Sequence, residues 1–108
     1  MDIQQKLKLS QQTNQISFIK DSGLFCGLYN QSAYIVTELL HYDLKLRAKA
    51  IKKMNHQVVI SCGIPITSVT KRFPNAIETE WGFQILGEFD LSYYSQWYAN
   101  IISNCIFK

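Results

Sequence analysis

Residues 16–33 read ISFIKDSGLFCGLYNQSA, and this stretch decides the fold. Ile16 to Lys20 (ISFIK) is β-branched and aromatic, the content of a strand. Asp21-Ser22-Gly23 is a turn signal, because short polar side chains bond their own backbone and glycine tolerates any φ. Leu24 to Tyr29 (LFCGLY) is a second strand, close enough to the first to pair with it as a hairpin. Asn30 or Ser32 then offers an N-cap. From there to His41, Ala33, Val36, Leu39 and Leu40 recur at helical spacing.

Upstream, residues 2–12 form a short helix with Ile3 and Leu7 on one side, ending at Thr13-Asn14. Downstream, Asp43 to Arg47 (DLKLR) alternates apolar and charged residues, as a half-buried strand does. Residues 48–56 are polar and basic without a period and read as a loop. Gln57 to Cys62 (QVVISC) is an apolar strand that Gly63-Ile64-Pro65 should break. Thr67 or Ser68 caps a helix carrying Val69, Phe73, Ala76 and Ile77. Pro74 inside it implies a kink, or two short helices meeting near Phe73. Gly82 to Glu88 is a further strand, and the tail from Tyr98 to Phe107 (YANIISNCIF) reads as the last one. The expectation is an α/β (α+β) domain with a sheet of five or six strands and about three helices.

With 108 residues, 47% of them apolar, the chain is long enough for one hydrophobic core and too short for two comfortable ones. That length excludes a self-contained ATPase, kinase or dehydrogenase on one of the large folds. Eleven Lys and Arg against eight Asp and Glu leave a net charge of +3, which permits a nucleic-acid partner without requiring one. The distribution is more telling. Lys45, Arg47, Lys49, Lys52 and Lys53 crowd one segment, whereas Glu78, Glu80, Glu88 and Asp90 fall in a later stretch. Three widely spaced cysteines, Cys26, Cys62 and Cys105, without a CxxC point to a reducing compartment rather than a disulfide framework. The N-terminus lacks the apolar core of a signal peptide, and no apolar run approaches a membrane span. A soluble, intracellular, cytoplasmic protein is the expectation.

The segment 16–33 also resembles the N-terminal mismatch-recognition domain of the MutS family of DNA mismatch repair proteins. That domain carries Gly-Asp-Phe-Tyr-Glu-Leu-Phe, two or three polar residues and a helix-opening Ala. The counterpart here is Gly23-Leu24-Phe25-Cys26-Gly27-Leu28-Tyr29, followed by Ala33. The family's basic Leu-Thr-x-Arg has its counterpart in Leu44-Lys45-Leu46-Arg47. Its Gly-Ile-Pro has one in Gly63-Ile64-Pro65. Three motifs in the same order and at matching distances carry the resemblance over nearly the whole chain.

The resemblance implies a single domain, residues 1–108, with a mixed sheet wrapped by helices. It implies that Phe25 enters the minor groove and wedges against a mispaired or distorted step, where weakened stacking lowers the cost of the kink. Lys45, Arg47, Lys49, Lys52 and Lys53 would then meet phosphates, with Lys20, Lys71 and Arg72 as possible extensions of the patch. The chain departs from the family at Gly27, where the family's Glu bonds the mispaired base, and at Leu24 and Cys26. The family's connector, lever, clamp and ATPase domains have no counterpart, and no GxxxxGK[ST] phosphate loop occurs. The chain therefore reads as a stand-alone, non-enzymatic DNA-binding module without cofactor, acting with a protein partner or a second copy.

Blander readings stand beside these. A Phe on a strand is usually core. Charge runs are usually solvated. Trp81, Trp97, Tyr93, Tyr94 and Tyr98 more often fill a core than meet bases or an interface. His41, His56 and the cysteines lack zinc-ligand spacing. The alternative function is a protein–protein or structural component of a larger assembly that has lost mismatch reading. A small nuclease rests on analogy of fold alone.

Overall fold

The expected hairpin forms. In a computed structural model describing residues 1–106, β1 (Gln15–Lys20) and β2 (Phe25–Tyr29) pair antiparallel, Ile19 opposite Gly27. Around them lie α1 (Ile3–Ser10), α2 (Gln31–Tyr34) running on into a π-helical turn (Ile35–Leu39), and β3 (Arg47–Ile51) with a 3₁₀ turn (Lys52–Met54). Then come β4 (Gln57–Pro65), α3 (Ile66–Arg72), β5 (Ile77–Glu78), β6 (Gly82–Leu86) and α4 (Tyr94–Ile106). The strands make one six-stranded sheet in the order β3-β4-β2-β1-β6-β5. The α+β class and the strand number are as the sequence implies. Among the described residues each neighbouring strand pair is antiparallel, so the sheet is not mixed in direction, and there are four α-helices where about three are expected.

Strand alternation assigns the two faces of the sheet. Ile16, Phe18, Cys26, Leu28, Cys62 and Ile64 share one face and are buried with Ala33, Tyr34, Ile35, Val36, Val69 and Phe73 from the helical side. This is the core. The opposite face carries Gln15, Ser17 and Ile19 of β1, then Phe25, Gly27 and Tyr29 of β2, Ser61, Gly63 and Pro65 of β4, and Arg47 and Lys49 of β3. Helix α1 covers the β1 end of that face. The Ser17 hydroxyl donates to the Leu9 carbonyl at 3.0 Å, and Leu7 and Ser10 are buried. The β2–β4–β3 part keeps an open cavity.

Four local expectations are corrected. The β3 strand begins at Arg47, so Asp43–Leu46 is irregular and the supposed loop 48–56 opens with the strand. Gly63-Ile64-Pro65 continues β4 instead of breaking it. Beyond Ser61 the β3 side of β4 has no partner, so the N–H that Pro65 lacks is not missed there, and these residues pair with β2 alone. Helix α3 starts after Pro65, without a Thr or Ser cap, and stops at Phe73, because the residue before a proline is driven out of the helical region. No kinked helix continues to Ile77, which instead lies in β5. The tail is a helix over Tyr94–Ile106, not a strand, and Phe107 lies outside the described residues. Tyr94, Trp97, Tyr98 and Ile101 are half-buried, and the residues between them are mostly exposed, the stripe of an amphipathic helix. The Tyr98 hydroxyl bonds the Val58 carbonyl, and the Tyr34 ring meets Tyr94 and Trp97 edge-on at 5.7 and 5.2 Å.

Candidate nucleic-acid interface

Hydrogen bonds fix the hairpin tip. The Ser22 hydroxyl oxygen accepts from the amides of Leu24 and Phe25, each at 3.3 Å. The Asp21 amide donates to the Phe25 carbonyl at 3.2 Å, and the Ile66 amide donates to the Leu24 carbonyl at 2.9 Å. Phe25 is thus held from its own turn, while its neighbour is held by the first residue of α3. Its ring is not core. Phe25 is 50% exposed and Leu24 73%, whereas Cys26 and Leu28 beside them are fully buried. The alternation that buries Cys26 and Leu28 turns Phe25 to the open face.

The ring borders a cavity of about 450 Å³ that also takes in Asp21, Gly27, Tyr29, Lys45, Arg47 and Gly63. Gly27 and Gly63, which β2 and β4 place side by side, lie on its floor. Phe25 lies at one end, and Tyr29, Ser61 and Arg47 form the row at the other. Four residues of strand separate the ends, about 13 Å at the usual rise.

The charges are arranged with it. Lys6 of α1 pairs with Asp21 at 2.7 Å. The Tyr29 hydroxyl donates to the other Asp21 oxygen at 2.5 Å. Burial, followed by the bond to Asp21 and its negative charge, pushes the Tyr29 phenol well above its ordinary range, so the proton stays on the tyrosine. Asp21 is thereby neutralised, and Lys45 and Arg47 supply the net positive charge. Neither belongs to the two ion pairs found among the described residues.

Of the residues singled out from sequence, Phe25, Gly27, Lys45 and Arg47 meet at this cavity. Lys49 shares the face with Arg47 but lies farther along β3, and Lys52 and Lys53 stand on the turn beyond it. All three are exposed and continue a basic edge outside the cavity. Lys20 pairs with Glu78 at 3.4 Å, and Lys71 and Arg72 ride on α3. Sheet order separates the basic strand from Glu78. Basic β3 is at one edge, and β5 with Glu78 is at the other.

Asp21, Lys6 and Tyr29 are cavity or supporting residues that sequence reading missed. In sequence Asp21 is a turn residue, and nothing local relates it to Lys6, fifteen positions upstream. No group of three or more His, Cys, Asp or Glu able to hold a metal lies among the described residues. Burial raises the Cys26 thiol, and that of Cys62 to about 12, so both behave as small hydrophobes rather than nucleophiles. No described helix is long and apolar enough to cross a membrane. Searches of protein-family models, curated proteins and solved structures gave no match to this chain.

Proposed function

We propose that the chain is a non-enzymatic DNA-binding module, similar to the mismatch-recognition domain of MutS proteins, that wedges Phe25 into distorted or mispaired duplex. The observation that carries this reading is the half-exposed Phe25 ring on an open sheet face, lining the same cavity as Lys45 and Arg47. An aromatic ring at a base step replaces part of the stacking lost on kinking, and the step that kinks most cheaply is one already mispaired. Lys45 and Arg47 would hold backbone phosphates, with Lys49, Lys52 and Lys53 tracking the strand farther out. A module this small covers a limited DNA surface, so its affinity should be modest and strongly salt-dependent.

Fluorescence anisotropy with matched duplex and with duplex carrying one unpaired nucleotide tests the proposal. The protein should favour the distorted duplex. Phe25→Ala should remove that preference, and Gly63→Val should weaken binding by filling the cavity floor. The backbone accepts a side chain there, since a Cβ at Gly63 meets no atom closer than 3.8 Å. Equal binding of both duplexes by all three proteins would remove the wedge and favour a docking surface for another protein, with exposed Leu24 and Phe25 as its anchors.

A further inference from the structure

The helical side of the sheet carries a second cavity, which shares no residue with the one at Phe25. It is shallow, about 300 Å³, and lies where the π-helical turn Ile35–Leu39 meets α4. Tyr34, Tyr93 and Trp97 line it together with Glu38. Tyr34 is only 4% exposed, and its ring meets that of Trp97 at 5.2 Å and 64°, so the two rings form a corner. Tyr93, one residue before α4, is 68% exposed.

The charge at this corner is one-sided. Glu38 is the one charged residue in the described lining, and it belongs to neither ion pair found among the described residues. The Trp97 Nε1–H donates to its Oε1 at 3.1 Å, which steadies the carboxylate and leaves Oε2 without a donor among the described residues. Burial pushes the Tyr34 phenol up, and the Asp90 and Glu38 carboxylates and the Tyr93 phenol push it the same way, so each charge felt there is negative. Core packing accounts for Tyr34 and for the half-burial of Trp97. It accounts neither for the exposed Tyr93 nor for an unpaired carboxylate held among rings.

We propose that this cavity binds a methylated ammonium group, seated against the Tyr34, Tyr93 and Trp97 rings with Glu38 as its counter-ion. An aromatic face attracts a cation through its quadrupole. A bare lysine ammonium is strongly hydrated and gives up its water at a cost, whereas methyl groups displace that water and offer the rings an apolar surface. An anion would be repelled by Glu38 and Asp90, and a neutral group would leave Glu38 without a partner. The site is independent of the DNA-wedge reading, because it lies on the other side of the sheet.

The test is an NMR titration of the full chain that follows the indole N–H signals. Choline should move the signal of Trp97 and leave that of Trp81 in place. Its neutral isostere 3,3-dimethylbutanol, with carbon in place of the charged nitrogen, should bind about tenfold more weakly or not at all. Tyr93→Ala and Glu38→Gln should each weaken choline binding several-fold, and Tyr93→Phe, which keeps the ring, should restore it. A short peptide carrying trimethyllysine, run beside its unmethylated form, identifies the source. Tighter binding of the methylated peptide than of choline supports the proposal with a modified side chain as ligand. Binding of choline alone supports it with a small free cation. Equal binding of choline and the isostere overturns it with no variant needed, as does a Trp97 signal that stays in place with both choline and the methylated peptide. Choline binding unchanged by both Tyr93→Ala and Glu38→Gln overturns the assignment of the cavity.

Discussion

Asn30 shows how much one residue can hold. It was legible as a helix start, and it does stand at the N-terminus of α2, yet its side chain makes no cap there. Its backbone sits at φ 43°, and its Oδ1 accepts from the buried Ile60 amide at 2.9 Å. Its own amide donates to the Ile60 carbonyl at 2.7 Å. Asn30 therefore straps the end of β2 to β4 and sets the register that brings Gly27 opposite Gly63. Asn30→Ala leaves the Ile60 amide without an acceptor in a buried place, and should cost about 1–3 kcal/mol in denaturant unfolding. A loss below about 0.5 kcal/mol, the range of ordinary surface substitutions, would contradict this role. Phe25 was legible only as a candidate, because a lone aromatic in a strand gives no sign of which face it takes. The burial of Cys26 and Leu28 decides that.

At the scale of elements, the hairpin was readable because its signals are local: β-branched content, a turn triplet and a second apolar run. β3 was displaced because period-two alternation reports half-burial, not pairing. Tyr42, Leu44 and Leu46 alternate inward as a strand would, yet ladder pairing with β4 begins only at Arg47. Gly63-Ile64-Pro65 reads as a break because the absence of a β3 partner beyond Ser61 is a tertiary fact. The α4 helix was missed for another reason. A window opened at Tyr98 catches apolar residues that suit either period, whereas one opened at Tyr94 shows the i, i+3, i+4, i+7 stripe. Gly82 follows from close approach, since a Cβ there would strike the Phe18 carbonyl of the neighbouring strand. Of the cavity, the sequence showed Phe25, Gly27, Lys45 and Arg47. The Lys6–Asp21–Tyr29 cluster depends on α1 packing over the sheet, which no local pattern encodes.

For the whole molecule, the raised phenols and thiols fix how stability responds to alkali. Burial leads the causes at Tyr29, Tyr94, Tyr98 and Cys62, and each holds its proton more tightly when folded than its ordinary value of 10.0 for tyrosine or 9.0 for cysteine. Above those values the unfolded chain sheds protons that the folded chain keeps, which favours unfolding. This contribution is complete below about pH 9 and is lost as the pH rises through the folded values. Thermal melts should show a Tm that falls steadily between about pH 9 and pH 11, and a flat Tm over that interval would contradict the burial of these groups. The same molecule keeps basic β3 and Glu78 of β5 at opposite edges of the sheet, so DNA approaching the β3 edge would meet Arg47 and Lys49 with Glu78 on the far side.

The most direct measurement is NMR of the ring signals of isotope-labelled phenylalanine during titration with a duplex carrying one unpaired nucleotide. The Phe25 ring signals should move upfield as the ring enters the current of stacked bases, while those of buried Phe18 and Phe73 stay in place. Phe25 signals that remain where they were at saturating DNA would contradict the claim that this ring enters the helix.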